Sequence, residues 1–360
     1  MKSKIVGILV CIMLMTTFLT MATNVENVGL KEISHTELIT SSFDDDVPTW
    51  NVGDWWTYTA DDINIDIEEE NQSIHFHLQI DEFNLTVVAD TGDFYKLDFT
   101  AEIIGDYAID IDLGEGPINV TGEIQGKLLS KKATIDGYML FNKTDLGIKK
   151  VNGTISGRVI INVNEHPYDL PFSIPPIPIP TEINLDLDWN VPYTILDFPL
   201  NTSKAWGLPA TNISIAGTIK SPWLNLVHLL NTILRIPGIM EIVAAFTGTD
   251  PLEIQYISDI LFDILPIIDI EYVLNEYLPI GNVFEIPEIP PMLYCNSTEN
   301  ITVKAGNFSA YKINLMGADD LGYIYYAPSA KNIIKITGKL GDFLPFVTDI
   351  NMELKDFRLA

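Results

Sequence analysis

Hydrophobic and polar residues alternate along much of this chain with a period of two residues. Between positions 75 and 80, the apolar side chains of Phe76, Leu78 and Ile80 alternate with two histidines and a glutamine. Because successive side chains of a strand point to opposite faces, the pattern predicts a strand with one buried face. Similar Ile-rich segments recur through the chain and predict a β-rich protein.

Two aromatic segments predict the first and last strands of the domain. Residues 52–58 contain the adjacent Trp55 and Trp56, which must face opposite sides of a strand, so one of them should be buried. Residues 303–313 and 322–328 are joined by a turn-like segment and predict an antiparallel hairpin. These segments predict the N-terminal and C-terminal strands of a single β domain.

A weak internal repeat lies between them, where residues 120–128 are echoed by residues 151–159. Alternation places four glycines on the same inner face as Ile124 and Ile155: Gly122, Gly126, Gly153 and Gly157. Glycine on an inner face indicates one of two arrangements. The sheet is either sharply curved, with space for a ligand, or an ordinary packed sheet in which two strands are weakened by glycine. The repeat therefore favours a strongly curved, half-barrel-like antiparallel sheet without excluding the packed alternative.

An apolar insertion from about residue 222 to 281 has a different pattern. Asp250, Pro251 and Glu253 form a helix-capping sequence. Apolar residues follow at helical spacing, among them Ile260, Ile264 and Leu265. Polar residues interrupt the segment too often for a membrane span. We expect helices that either fill the sheet or cover a ligand cavity, which gives an α+β protein overall.

The N-terminus predicts export. Lys2 and Lys4 precede an apolar run, and small residues near position 22 suit a signal-peptidase site. We interpret residues 1–22 as a signal peptide, with an uncleaved membrane anchor as the alternative, and residues 23–48 as a flexible acidic lead-in. A single β-rich domain over residues 49–360 then lies outside the cell or at its surface.

Removal of the leader leaves one cysteine, Cys295, so we expect no internal disulfide. The ordinary interpretation is a small, half-buried side chain, and the alternative is an intermolecular disulfide or a reactive thiol. Either way, the stability of the domain must come from its core.

Ten asparagines begin an N-x-Ser/Thr triplet, the acceptor sequence for N-glycosylation. The alternative is that asparagine and threonine are simply common in exposed strands and turns. The ten positions are Asn71, Asn84, Asn119, Asn142, Asn152, Asn201, Asn212, Asn296, Asn300 and Asn307.

The formal net charge of −28 opposes binding to nucleic acids and to anionic lipid headgroups. The acidic runs lack the spacing of an EF-hand and are typical of solvated faces. The histidines at positions 75 and 77 have no further metal-ligand residue nearby in sequence. Nucleophile-elbow, zinc, P-loop and dinucleotide motifs are also absent from the sequence. We therefore predict a protein that is not an enzyme and needs no metal or cofactor.

Four motifs carry a resemblance to a known family: the Gly-Asp-x-Trp-x-Tyr opening, residues 196–206, the strand at residues 305–313 and the Tyr-Tyr-Ala-Pro turn at residues 325–328. They resemble uncharacterised secreted proteins of archaea and bacteria whose fold is similar to the lipoprotein-carrier half-barrel. The resemblance implies a curved sheet around helices and assigns no catalytic residues.

These observations lead to two expectations about function. The first is an extracytoplasmic protein that binds or carries a lipid or another apolar ligand, with a pocket between the repeat glycines and isoleucines on the sheet and the three insertion residues. The second is a structural cell-surface glycoprotein without a small-molecule ligand. Its partners would be other cell-surface components.

Overall fold

The computed structural model describes residues 47–69, 72–112, 117–126, 130–165, 176–220, 283–315, 322–338 and 347–360. The strands are β1 (Trp55–Glu69), β2 (Gln72–Thr91), β3 (Phe94–Asp112), β4 (Pro117–Gln125), β5 (Ala133–Asn142), β6 (Ile148–Glu165), β7 (Ile177–Tyr193), β8 (Ala205–Leu208), β9 (Thr211–Lys220), β10 (Val283–Ile286), β11 (Ile289–Val303), β12 (Gly306–Leu315), β13 (Tyr323–Ala327), β14 (Asn332–Gly338) and β15 (Val347–Arg358).

The prediction of a β-rich protein with an antiparallel sheet is confirmed. All fifteen strands belong to one sheet, and every pair of neighbours is antiparallel. The only helix among the described residues is a single 3₁₀ turn at Pro328–Ala330. The predicted signal peptide, most of the lead-in and the predicted helical insertion at about 222–281 lie outside the described residues.

The strand order brings together segments that are far apart in the sequence. It runs β10-β9-β7-β6-β4-β3-β2-β1-β15-β14-β13-β12-β11-β8. Strand β5 lies off this path and pairs with β3 and β6, the same two strands that flank β4. β4 pairs with one half of β3 and β5 with the other half, so β4 and β5 share one position between β3 and β6.

The two ends of this order meet in space. β8 ends at Leu208 and β9 begins at Thr211, although they lie at opposite ends of the order. Three residue steps span at most about 11 Å. Leu208 of β8 pairs with Ile289 of β11, and Thr211 of β9 pairs with Ile286 of β10. Both segments of the chain span three residues between these pairs, so β8–β11 and β9–β10 keep one antiparallel register across the short gaps between the strands. The described strands therefore form a ring of twelve positions, because β4 with β5, β8 with β9 and β10 with β11 each share one.

The Gly-Asp-x-Trp-x-Tyr motif holds the beginning of β1 in place. Gly53 has φ +100°, a backbone conformation that favours glycine. The carboxylate of Asp54 is fully buried and accepts hydrogen bonds from the backbone N–H groups of Asn51 (2.8 Å) and Ala360 (2.6 Å). Asp54 thus joins the beginning of β1 to the chain that follows β15, its neighbour in the sheet.

The two adjacent tryptophans face opposite sides, as predicted. Trp56 is fully buried, and its indole N–H donates to the carbonyl oxygen of Ala330 at 2.8 Å. Trp55 is half-buried. Trp56 therefore contributes to the core, where its ring centroid lies 5.3 Å from that of Trp50.

The predicted hairpin of residues 303–313 and 322–328 is confirmed, but it does not contain the last strand of the domain, because β14 and β15 follow it in the chain. β12 and β13 are antiparallel neighbours, with Tyr311 opposite Tyr326 and Ile313 opposite Ile324. β13 then pairs with β14 through the 3₁₀ turn, where Lys331 has φ 55°. Together these strands connect β12 to β15 and so to β1.

The first described residues of β7 are rich in proline. Pro178 and Pro180 lie opposite Ile160 and Arg158 of β6, and the described pairing of β7 with β9 runs from Glu182, opposite Lys220, to Trp189. Proline has no backbone N–H, so it is tolerated where a strand has a neighbour on one side only.

Candidate ligand-binding site

The predicted sheet residues share the inner face of the ring. Ile155 of β6 lies opposite Ile135 of β5 and Ile183 of β7. Ile124 of β4 lies opposite Val159 of β6, and Val159 is four residues from Ile155 on the same face. The structure therefore brings Ile124 and Ile155 together on one apolar surface, as expected from the alternation.

Burial along this inner face falls in one direction. Val151, Leu185 and Leu187 are fully buried, whereas Ile155 and Val159, further along β6, are only half-buried. Ile124 beside them is also half-buried. An apolar inner face that becomes partly exposed is unusual for a sheet interior, where side chains are normally close-packed. We define this apolar face by Ile124, Ile155, Val159 and Ile183.

The repeat glycines do not leave open space beside this face. A Cβ added to Gly157 would lie 2.6 Å from the carbonyl oxygen of Gln125 and 2.9 Å from Cβ of Ala133. A Cβ on Gly126 would collide with the carbonyl oxygen of Lys132. Real Cβ atoms essentially never approach other heavy atoms this closely. These glycines allow neighbouring backbone to approach, which is the packed-sheet alternative.

Gly122 and Gly153 are enclosed in the same way. The ring of Tyr107 covers Gly122, and its hydroxyl donates to the carbonyl oxygen of Ile160 at 3.0 Å. An aromatic ring over a glycine on a neighbouring strand fills the missing side-chain volume. Gly153 lies opposite Gly137, and a Cβ on Gly137 would lie 2.6 Å from Cα of Gly153. Space for a ligand must therefore come from elsewhere.

The insertion side of the predicted pocket lies outside the described residues, including Ile260, Ile264 and Leu265. The point from which the chain departs is described, however. β9 ends at Lys220, which lies opposite Glu182 of β7, and Ile183 lies opposite Ile219. The segment of residues 221–282 therefore begins beside the apolar face.

A small apolar cavity lies on the opposite side of the packed interior. It has a volume of about 50 Å³ and is lined by Trp50, Leu85, Leu97, Ile148 and Ile333, among others. This volume is enough for a few water molecules and much too small for a lipid chain. We therefore do not assign the ligand to it.

The two histidines of β2 lie on the outer face and are paired with aspartates across the strands. His75 Nδ1 lies 2.8 Å from an oxygen of Asp66, and His77 Nδ1 lies 3.3 Å from an oxygen of Asp106. They line a polar groove of about 350 Å³. Within the described ranges, no group of three His, Cys, Asp or Glu side chains is placed to bind a metal ion.

Burial raises the pKa of several hydroxyl and thiol groups of the interior. It raises the pKa of the Tyr107 and Tyr193 hydroxyls well above their ordinary value. It also raises the pKa of the buried Cys295 thiol to about 11, although the positive charge of Lys204 opposes this shift. Cys295 is thus protonated at neutral pH, and thiols react mainly as thiolates.

Sequence reasoning missed two polar atoms of the interior. The indole N–H of Trp189 and the hydroxyl of Tyr193 are buried and have no hydrogen-bond partner among the described residues. Trp189 lies on the same inner face of β7 as Leu185 and Leu187, at the two-residue spacing of a strand. The two-residue pattern of β7 could have predicted that Trp189 is buried, but it could not have predicted that its N–H lacks a hydrogen-bond partner among the described residues.

The predicted glycosylation sites have side chains at the surface wherever they are described. Nine of the ten asparagines lie in the described residues, and Asn71 lies outside them. Asn296, Asn300 and Asn307 are exposed, and the other six are half-buried. No described triplet therefore has its asparagine in the core.

Comparison of the chain with protein-family models, with curated proteins and with solved structures gives no match. Among the described residues, no helical segment combines the length and the hydropathy that a membrane span requires. The functional argument consequently depends on the sheet and its side chains.

Proposed function

We propose that this protein binds or carries an apolar, lipid-like ligand outside the cytoplasm. The ligand would lie between the apolar face and the segment of residues 221–282. The observation that carries this proposal is the partial burial of Ile124, Ile155 and Val159, on the same inner face as the fully buried Val151, Leu185 and Leu187. An apolar surface that stays partly accessible to solvent commonly marks a binding site.

The size of the ring supports the same proposal. A closed sheet of about eight strands is just wide enough for its own side chains to fill, and wider sheets enclose additional space. The twelve positions of this ring exceed that number. Its interior therefore needs further apolar material, which the Ile- and Leu-rich residues 221–282 and a ligand would supply together.

The proposed location outside the cytoplasm is supported by the leader-like sequence of residues 1–22. A ligand with a long alkyl chain is also compatible with the strongly negative charge, since the apolar face itself contains no charged residue. The negative outer surface opposes adsorption to anionic membranes and favours a freely moving carrier over a membrane-bound one.

The first test is to purify the protein from its own host without detergent, extract it with organic solvent and analyse the extract by mass spectrometry. We expect a lipid at near-stoichiometric amount. The purified protein, after lipid removal, should also bind cis-parinaric acid with a rise in fluorescence. A protein that yields no lipid and ignores this probe would contradict the proposal.

The second test places the ligand on the apolar face. Ile155→Gln adds a polar group there without a large change in volume, and we expect it to weaken cis-parinaric acid binding about tenfold, or about 1.4 kcal/mol. The matched control is Ser156→Gln, on the next residue and the outer face, which should bind as the wild type does. Equal affinities for all three proteins would place the ligand elsewhere.

One observation favours a second candidate, a structural cell-surface protein without a small-molecule ligand. Backbone and side chains occupy the space beside Gly122, Gly126 and Gly157. If residues 221–282 fill the remaining interior completely, the apolar face serves packing alone. In that case Ile155→Gln would lower the free energy of unfolding, and no lipid would accompany the protein from its host.

A further inference from the structure

Three of the N-x-Ser/Thr triplets lie on one hairpin, formed by β11 and β12. In each of the three, both the asparagine and the hydroxyl residue are exposed. In every other described triplet, the asparagine is half-buried. We call these six residues the hairpin sequon face: Asn296, Thr298, Asn300, Thr302, Asn307 and Ser309.

Strand geometry explains why these residues emerge together. Side chains two residues apart in a strand point to the same face, so the asparagine and the hydroxyl of each triplet share a side. Cross-strand pairing joins the triplets, because Asn300 lies opposite Ser309 and Thr302 lies opposite Asn307. The alternate residues Val303 and Phe308 are buried. All three acceptor sequences are therefore exposed on this hairpin, with Asn300, Thr302, Asn307 and Ser309 on one face and Asn296 at the irregularity between Cys295 and Ser297.

The amide nitrogens on this face are available for modification. The side chains of Asn296 and Asn300 make no hydrogen bond within the described part of the chain. Asn307 accepts a hydrogen bond through Oδ1 from the hydroxyl of Thr302 at 2.5 Å, which leaves its Nδ2 uncommitted. Gly306, next to Asn307, has open space around it at the hairpin turn. A bulky group on these nitrogens would extend into solvent.

Two other triplets provide the contrast. Asn84 accepts a hydrogen bond from the Thr57 hydroxyl at 2.6 Å and donates one to the Thr100 hydroxyl at 3.4 Å. Asn119 donates through Nδ2 to Asp110 and accepts through Oδ1 from an asparagine of β6 at 2.7 Å. Both side chains are half-buried and use both ends of the amide. A sugar on Nδ2 would compete for space with the donor contacts of this nitrogen to Thr100 and Asp110.

We propose that the hairpin sequon face carries N-linked glycans at Asn296, Asn300 and Asn307, and that Asn84 and Asn119 remain unmodified. In each attachment, the asparagine Nδ2 forms a bond to the anomeric carbon of a sugar and loses one proton. The bond between that carbon and the phosphate of a polyprenyl-phosphate-linked oligosaccharide donor breaks, and the phosphate leaves. The glycans would hydrate this side of the sheet and prevent it from packing against another protein.

Peptide mapping by mass spectrometry of the protein from its own host tests the assignment. We expect glycan masses on the peptides that contain the three hairpin asparagines, located by fragmentation, and unmodified peptides around Asn84 and Asn119. Unmodified hairpin peptides would overturn the proposal. Modification at Asn84 or Asn119 together with bare hairpin sites would overturn it equally.

Variants that leave every asparagine in place give an independent readout. Thr298→Ala, Thr302→Ala and Ser309→Ala should each reduce the intact mass by one glycan. Ser297→Ala lies within the first triplet but preserves its acceptor sequence, so its intact mass should fall only by the mass of one oxygen. A wild-type mass equal to that of the bare mature chain would refute the proposal, whatever the protein binds in its interior.

Discussion

The buried carboxylate of Asp54 should be a principal support of the junction between the first and last strands. Its two oxygens accept the N–H groups of Asn51 and Ala360, and its own carbonyl oxygen accepts the N–H of Val87 at 2.8 Å. Asp54→Ala removes both side-chain acceptors of these partly buried hydrogen bonds. An unsatisfied buried donor costs about 1 to 3 kcal/mol.

We therefore expect Asp54→Ala to lose about 3 kcal/mol of unfolding free energy and Asp54→Asn about 2 kcal/mol, because the amide retains one acceptor oxygen. Urea unfolding followed by tryptophan fluorescence measures both losses. Asp93→Ala, at an exposed residue of the β2–β3 turn, is the matched control and should change the free energy by less than about 0.5 kcal/mol.

A double-mutant cycle separates the contact from general disruption. Ala360→Pro removes the N–H that donates to Asp54, so its effect should be largely absent when Asp54 is already alanine. Additive losses would show that Asp54 and Ala360 do not interact. A loss below about 1 kcal/mol for Asp54→Ala would show that water replaces the carboxylate, and the proposed role of this residue would be refuted.

Four further predictions follow from burial. Trp56→Ala should lose about 3 to 5 kcal/mol of unfolding free energy and Trp55→Ala at least about 2 kcal/mol less, measured by urea unfolding; equal losses would contradict the assignment of their faces. Gly157→Ala should lower the melting temperature, because its Cβ would lie 2.6 Å from a backbone oxygen, and an unchanged value would show that the strands can separate. Tyr193→Phe should cost no stability, since the hydroxyl it removes has no partner among the described residues; a loss above about 1 kcal/mol would reveal a contact with another group. The Cys295 thiol should resist iodoacetamide in the native protein at pH 8 and react in urea, because burial raises its pKa to about 11; rapid native alkylation would argue for an accessible thiolate.

The repeat glycines show what the alternation of apolar and polar residues can predict and what it cannot. The sequence correctly indicated the inner face on which Gly122, Gly153 and Gly157 lie beside Ile155. It could not indicate what occupies the place of their missing side chains. That depends on the ring of Tyr107, the carbonyl oxygen of Gln125 and other groups from neighbouring strands. A local pattern carries no information about such partners.

Local sequence determined the β-rich class, the faces of Trp55 and Trp56 and the β12–β13 hairpin, because these features follow from the two-residue period of a strand and from short connections. Only the tertiary structure decided that β1 pairs with β15, that β4 and β5 share one position, and that β8 and β10 bring the two ends of the sheet together. Trp55 and Arg358 are partners across nearly the whole chain. Register between such distant strands is set by the combined packing of all the intervening strands, and no single segment contains it.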